Sequence, residues 1–246
     1  MKFNIIFKIL INIILIIISI VFKNYLYLIK RNNCIENFYN NISSNMHDIF
    51  KNRIRKSIKW PLSNLIKFKP IMTPNELKAF CYFMKPGNIY FEFGAGGSTN
   101  IASFYKVKTY SVESDAKWHE KLKDNHIKAF YITIDLNTSL YGYPGNNTGI
   151  KNWKEYIEAY KTEYNADIVL IDGRFRVACA LNIFNKIKND TIVLIHDYTQ
   201  RTYYYILEQF YLKLYSWDTL TLFIKRPNIY YIPKLLYNNY IKEPLL

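Results

Sequence analysis

Between residues 91 and 100 the chain reads FEFGAGGSTN, and three of these residues can do chemistry by type and spacing. Gly94 and Gly96 let a backbone turn tightly and approach a ligand, at the start of a helix whose free N–H groups favour negative charge. Glu92 stands two residues before the first glycine. A carboxylate there repels a pyrophosphate and suits a cation, such as the amino group of a methionine moiety. Glu113, nineteen residues after Gly94, is placed to accept hydrogen bonds from two ribose hydroxyls. A dinucleotide-binding loop shares these features but needs a third glycine where Thr99 stands. The competing reading of Glu92 is a solvated carboxylate in a strand-end turn.

The elements that must position these residues follow from periodicity. TPNELKAFCYFM opens with Thr73 as helix cap, Pro74 in the first turn and Glu76 closing a capping box. Leu77, Phe80, Cys81 and Met84 then share one helical face, and Pro86-Gly87 stops the helix. Apolar runs at 88–93, 108–114, 128–135, 166–173 and 191–198 alternate with helical patterns at 98–105, 115–125, 150–161 and 177–187. A tyrosine-rich helix is expected from about Thr202, then strands at Lys213–Trp217 and Leu220–Lys225. Continuously apolar strands alternating with helices imply a parallel sheet covered on both faces. The expected fold is α/β, a doubly wound sheet ending in an antiparallel strand pair. Polar residues recur at the strand ends: Glu92, Glu113, Asp135, Asp172, His196 and Asp197. That edge is where open α/β sheets bind ligands.

With the strand-end pattern in view, the chain resembles the class I S-adenosylmethionine-dependent methyltransferases over residues 73–226. Glu92, Gly94 and Gly96 match the acid and Gly-x-Gly of that family's first motif, with Ser98 at the place of its third glycine. The resemblance implies a Rossmann-like sheet, S-adenosylmethionine as cofactor, Glu113 on the ribose and Asp135 beside the adenine. EFGAGGST, IDGRFR and IHDY together resemble a less characterised subgroup, and its pattern implies no substrate.

On the acceptor side the expected catalytic residues are Asp172, His196 and Asp197. His196 is the one histidine of four at a strand end, and an ordinary imidazole pKa suits a general base. Asp172 with Asp197 is also similar to the magnesium site of catechol-type O-methyltransferases, although Tyr198 stands where that family has Asn. Arg174 and Arg176 either clamp an anionic acceptor or pair with Asp172 and Asp197 to order the loops. Tyr141, Tyr143 and Trp153 either form an aromatic lid over a sugar ring or another flat face, or simply pack.

Charge is concentrated at the N-terminus, where residues 1–70 hold 12 Lys or Arg against 2 acids, while residues 71–246 hold 21 against 17. A basic segment outside the catalytic domain argues against a nucleic-acid substrate and for a membrane surface. Ile5 to Phe22 is interrupted only by Lys8, Asn12 and Ser19, near the lower length limit of a spanning helix. No small-x-small cleavage site follows it, so an uncleaved single-pass anchor is expected. The basic residues from Lys51 to Lys69 lean toward a cytoplasmic catalytic domain, with a lumenal one as the alternative. Residues 1–29 therefore read as membrane anchor, 30–70 as basic linker with a short helix near Met46 to Lys59, 71–228 as methyltransferase-like domain and 229–246 as a tail. Cys34, Cys81 and Cys179 form neither a disulfide framework nor a zinc-ligand spacing.

Three functions compete. The first is a membrane-anchored methyltransferase acting on oxygen of a small molecule or glycan. The second is an NAD-dependent oxidoreductase, opposed by Glu92 and Thr99. The third is a catalytically silent, membrane-tethered binding module.

Overall fold

The computed structural model describes residues 70–123, 129–133 and 150–243. The first helix, α1 (Pro74–Phe83), forms where its capping box directs: Glu76 N donates to Thr73 Oγ1 at 3.3 Å, and Thr73 N donates to Glu76 Oε2 at 2.7 Å. Its face of Leu77, Phe80 and Cys81, continued by Met84, is buried as the spacing requires.

Seven strands follow in one sheet. They are β1 (Ile89–Phe93), β2 (Lys108–Glu113), β3 (Ala129–Thr133), β4 (Ile168–Ile171), β5 (Ile192–Ile195), β6 (Tyr211–Trp217) and β7 (Leu220–Lys225), in spatial order β3-β2-β1-β4-β5-β7-β6. β1 to β5 run parallel, and β7 lies antiparallel to both β5 and β6. β4 and β5 are the same tetrapeptide, IVLI, and lie side by side in register, Ile168 against Ile192. Side chains on both faces are apolar because helices cover both. Those helices are α2 (Gly97–Phe104), α3 (Ala116–Lys123), α4 (Ile150–Ile157) and α5 (Arg176–Ile183). The doubly wound sheet and its antiparallel pair are as expected.

Strand order reverses between β1 and β4, so the crevice beyond their carboxyl ends is the topological switch point. Gly94 and Gly173 are the residues that open there.

Three elements differ from the pattern read in the sequence. The tyrosine-rich segment Thr202–Gln209 is a 3₁₀ helix, whose buried Tyr204 and Leu207 lie three apart, one turn of that tighter helix. α4 stops at Ile157 because Ala159 N bonds back to Tyr156 O at 3.2 Å, tightening the turn and turning Tyr160 into the core. Residues 229–246, read as a tail, carry helix α6 (Lys234–Tyr240). Leu236, Tyr237 and Tyr240 pack on the core, Ile241 is buried, and Tyr237 Oη donates to Glu158 at 3.0 Å.

The apolar run Ile5–Phe22, the basic stretch to residue 69, and Asp135, Tyr141 and Tyr143 lie outside the described residues. Among the described residues no helix is long and apolar enough to cross a membrane.

Candidate active site

Gly94 takes φ +94°, a conformation costly for any other residue, and a Cβ on it would lie 2.8 Å from Gly173 Cα. A Cβ on Gly173 would lie 2.0 Å from Tyr156 Oη and 3.1 Å from Gly94 N. Two backbones thus touch across the switch point with no room for side chains. Gly96 is different: a Cβ there would meet nothing within 4 Å. Neighbouring protein atoms therefore do not demand a glycine at that position.

Glu92 is fully buried beneath this loop. Tyr90 Oη donates to it at 2.8 Å, Ser98 Oγ at 2.7 Å, and Thr99 Oγ1 also donates. Gly96 N in turn donates to Thr99 Oγ1 at 2.8 Å. The expectation of an open carboxylate facing a ligand cation is therefore corrected. Glu92 anchors the first turn of α2 to β1, and Ser98 serves the loop through Glu92. Burial raises the Glu92 pKa to about 7 against the lowering effect of its hydroxyl donors.

Glu113 ends β2 and is also buried, and its Oε1 accepts Ser114 N at 2.7 Å and Asp115 N at 2.8 Å. These amides fix the carboxyl at the sheet edge, while Oε2 takes part in neither bond. Burial pushes its pKa up to about 7 despite the two amides.

At the ends of β4 and β5 the structure brings Asp172, His196 and Asp197 together, with a partner the sequence reading missed. His196 Nδ1 lies 2.9 Å from Asp172 Oδ1 and 3.6 Å from Asp197 Oδ1, and Nε2 lies 3.4 Å from Glu76 Oε2. Burial alone would lower the histidine pKa, but the Asp172 bond and the charges of Asp172, Asp197 and Glu76 raise it to about 9. The ordinary pKa expected for a general base is thus corrected: the facing carboxylates favour the imidazolium, which has no lone pair to accept a proton.

Arg176 is buried and spent within the protein. Its guanidinium lies 3.1 Å from Asp197 Oδ2 and 3.3 Å from Asp172 Oδ1, and it donates to the carbonyls of Gly173, Asp172 and His196. Of the two readings for Arg176, loop ordering is the one the geometry supports. Arg201 Nη2 reaches Asp197 Oδ2 at 3.0 Å. Three carboxylates (Glu76, Asp172, Asp197) thereby face three cations (Arg176, His196, Arg201). Asp197 holds this place with φ +56°, which aspartate tolerates better than bulkier residues. Asp172 stays below the usual carboxylate range: burial raises it, but the His196 bond and the Arg176 charge more than offset this.

Asp172, His196 and Asp197 could by spacing alone hold a metal ion. The donor set does not fit magnesium. The carboxylate oxygens are already directed at two guanidinium groups and an imidazolium, and a divalent ion would add charge to that cluster. Tyr198, at the position of the family's third ligand, is buried and donates to Glu208 at 3.0 Å.

Arg174 directly follows the Gly173 turn and is half-buried. Trp153 is not spread over the surface: its ring packs against Phe175, centroids 5.3 Å apart. Glu76 and Arg201 were the residues missed. The local sequence marks Glu76 only as a helix cap, yet its Oε1 also accepts Thr219 N at 2.7 Å and Leu220 N at 3.1 Å, joining α1 to the β6–β7 turn.

Strand order, the antiparallel seventh strand and the glycine turn at the switch point define the class I, Rossmann-like fold of the S-adenosylmethionine-dependent methyltransferases. Within that class, the chain is similar to a methyltransferase-like protein from Silicibacter pomeroyi. The two share 26% identity at a TM-score of 0.65, over 73% of this chain and 100% of that one. A TehB-like S-adenosylmethionine-dependent methyltransferase from Corynebacterium glutamicum shares 13% identity at a TM-score of 0.41, covering 57% of this chain and 82% of that one. An RNA methyltransferase from Salinibacter ruber, in complex with S-adenosyl-L-homocysteine, shares 13% at 0.39, covering 67% and 97%. Both are too distant to inform the site. No family model matches the sequence, and no curated protein does.

Proposed function

We propose that this chain is an S-adenosylmethionine-dependent methyltransferase. The observation that carries the reading is the pair of Gly94 and Glu113 at neighbouring strand ends beside the switch point. The first gives a tight turn into α2, and the second fixes a carboxyl on the ribose side. Gly94 and Glu113 would hold S-adenosylmethionine there, and Asp172, His196 and Asp197 at the ends of β4 and β5 would line the acceptor side. The bound cofactor would supply an electrophilic methyl group, transferred to an acceptor lone pair as the carbon–sulfur bond breaks and sulfur keeps the electron pair. His196 is protonated and held on both nitrogens, so it removes no proton from the acceptor. An oxygen of a small molecule acidic enough to arrive ionised suits the site better than a glycan hydroxyl.

Anchoring of this domain to a membrane belongs to the same proposal. It is supported by the apolar run Ile5–Phe22 and by the excess of basic residues in 1–70, which favours anionic lipid on the cytoplasmic side.

The test is calorimetric titration of the full-length chain in detergent with S-adenosylmethionine, S-adenosylhomocysteine and NAD, with Glu113→Ala alongside. Saturable binding of the two sulfur ligands, lost in the variant, is expected. Binding of NAD alone would replace the reading with an oxidoreductase. The ion-paired state of Asp172, His196 and Asp197 favours a second reading, a cofactor-binding module without turnover. Binding without methyl transfer across a broad acceptor panel would select it.

A further inference from the structure

Helix α4 carries two buried polar atoms with no hydrogen-bond partner among the described residues, Trp153 Nε1 and Tyr156 Oη. Three residues apart, they lie on one side of the helix. Both rings rest against Phe175, at 5.3 and 6.3 Å between centroids. Tyr156 is fully buried, and burial pushes its pKa well up, so the phenol remains an O–H donor. The one polar group bearing on it through the backbone, the Arg174 N–H, is itself a donor and cannot take the phenol proton. A buried donor left unpaired is costly, and phenylalanine would fill the same space without that cost.

The position of the hydroxyl suggests what offsets the cost. It lies 2.0 Å from where a Gly173 side chain would begin, at the contact between Gly173 and Gly94. Glu113, the carboxyl on the ribose side, is close enough for its charge to act on the phenol. The donor therefore sits against the Gly94–Gly173 contact at the switch point, and not in an arbitrary part of the core.

We infer that Tyr156 is a ligand-recognition residue whose O–H donates to an acceptor atom on the nucleoside part of the cofactor, with Trp153 Nε1–H a second donor from the same helix face. This rests on the methyltransferase reading above.

The test compares Tyr156→Phe with the unaltered full-length chain in detergent, measuring thermal stability without ligand and affinity for S-adenosylhomocysteine and 5′-methylthioadenosine. The second probe keeps the nucleoside and lacks the amino-acid end. Tyr156→Phe should melt within a degree or two of the unaltered chain, because the hydroxyl it removes donates to no described protein atom. It should bind both probes more weakly by on the order of three- to tenfold, the loss of one neutral hydrogen bond. Unchanged affinity, or weakening confined to S-adenosylhomocysteine, overturns the assignment. So does a variant that loses stability and keeps its affinity, which would mark the hydroxyl as structural. An unaltered chain that binds neither probe fails earlier, and takes the methyltransferase reading down with this one.

Discussion

Glu76 and His196, 120 residues apart, face each other at 3.4 Å, and the contact ties the first helix to the end of β5. Glu76 is buried and held in its charged form. Burial raises its pKa, but Thr219, Thr73 and His196 together bring it below the ordinary value. One carboxylate thus caps a helix, closes the β6–β7 turn and balances the imidazolium. Glu76→Ala removes all three roles and leaves the Thr219 and Leu220 amides unpaired. The expected cost is about 2–4 kcal/mol in denaturant unfolding. Glu76→Gln keeps an acceptor but not the charge, so the His196 pKa, followed by NMR of the ring protons, should fall. A histidine titrating unchanged in Glu76→Gln would show that the contact carries no charge coupling.

The pH dependence has a sign set by this network. The folded-state pKa of His196, about 9, stands above its unfolded value near 6.5. Its contribution to stability is therefore complete below about pH 6.5 and is lost as pH rises through about 9, on the order of 3 kcal/mol in all. Unfolding free energy measured from pH 6 to 10 should fall in the unaltered protein and fall much less in His196→Gln. Parallel curves would refute the raised pKa.

How far this could be read from the chain depends on distance along it. β4 and β5 announce themselves as identical apolar tetrapeptides because parallel strands buried on both faces leave continuous runs. Their terminal Asp172, His196 and Asp197 then fall on one edge by topology alone. The capping box of Thr73 and Glu76 is local and was equally legible. What was hidden is the second use of each polar atom. Nothing near Glu76 signals Thr219, and nothing near Glu92 says that Ser98 and Thr99 spend their hydroxyls on it and not on a ligand. α6 did leave a signal, since Leu236, Tyr237, Tyr240 and Ile241 follow helical spacing.

The glycines at the switch point should separate by substitution. Gly173→Ala forces a methyl against Tyr156 Oη and Gly94 N and is expected to cost about 1–3 kcal/mol. Adding Tyr156→Phe removes the nearest clash, so the double variant should recover part of that loss. Gly96→Ala meets no protein atom within 4 Å and has an extended φ of −178°, so stability should stay within about 0.5 kcal/mol. Its cost should appear in cofactor affinity. A Gly96→Ala protein that binds S-adenosylhomocysteine normally would remove Gly96 from the site.

Magnesium should be dispensable. Because Arg176 and Arg201 already pair with Asp197 Oδ2, and Arg176 and His196 with Asp172 Oδ1, chelator treatment is expected to change neither melting temperature nor cofactor affinity. Added magnesium should likewise leave both unchanged. A rise in melting temperature of several degrees with magnesium, abolished in Asp197→Asn, would overturn the charge argument.

Glu113 offers a measurement that joins the buried carboxyl to ligand binding. Its folded-state pKa of about 7 lies above the model-peptide value of 4.5, because burial disfavours the charged form. Such a group stabilises the fold below about pH 4.5 and loses that contribution as pH rises through about 7. Ribose hydroxyls donating to the carboxylate favour the ionised form and pull the pKa down. Cofactor binding at pH 7 should therefore release protons. Calorimetric titrations with S-adenosylhomocysteine in buffers of different ionisation enthalpy would show apparent heats that vary with the buffer. In Glu113→Gln the variation should shrink, leaving only what Glu92, with its own pKa of about 7, contributes through the loop. Heats that do not depend on the buffer would mean that no carboxyl changes protonation on binding, and that Glu113 does not meet the ribose.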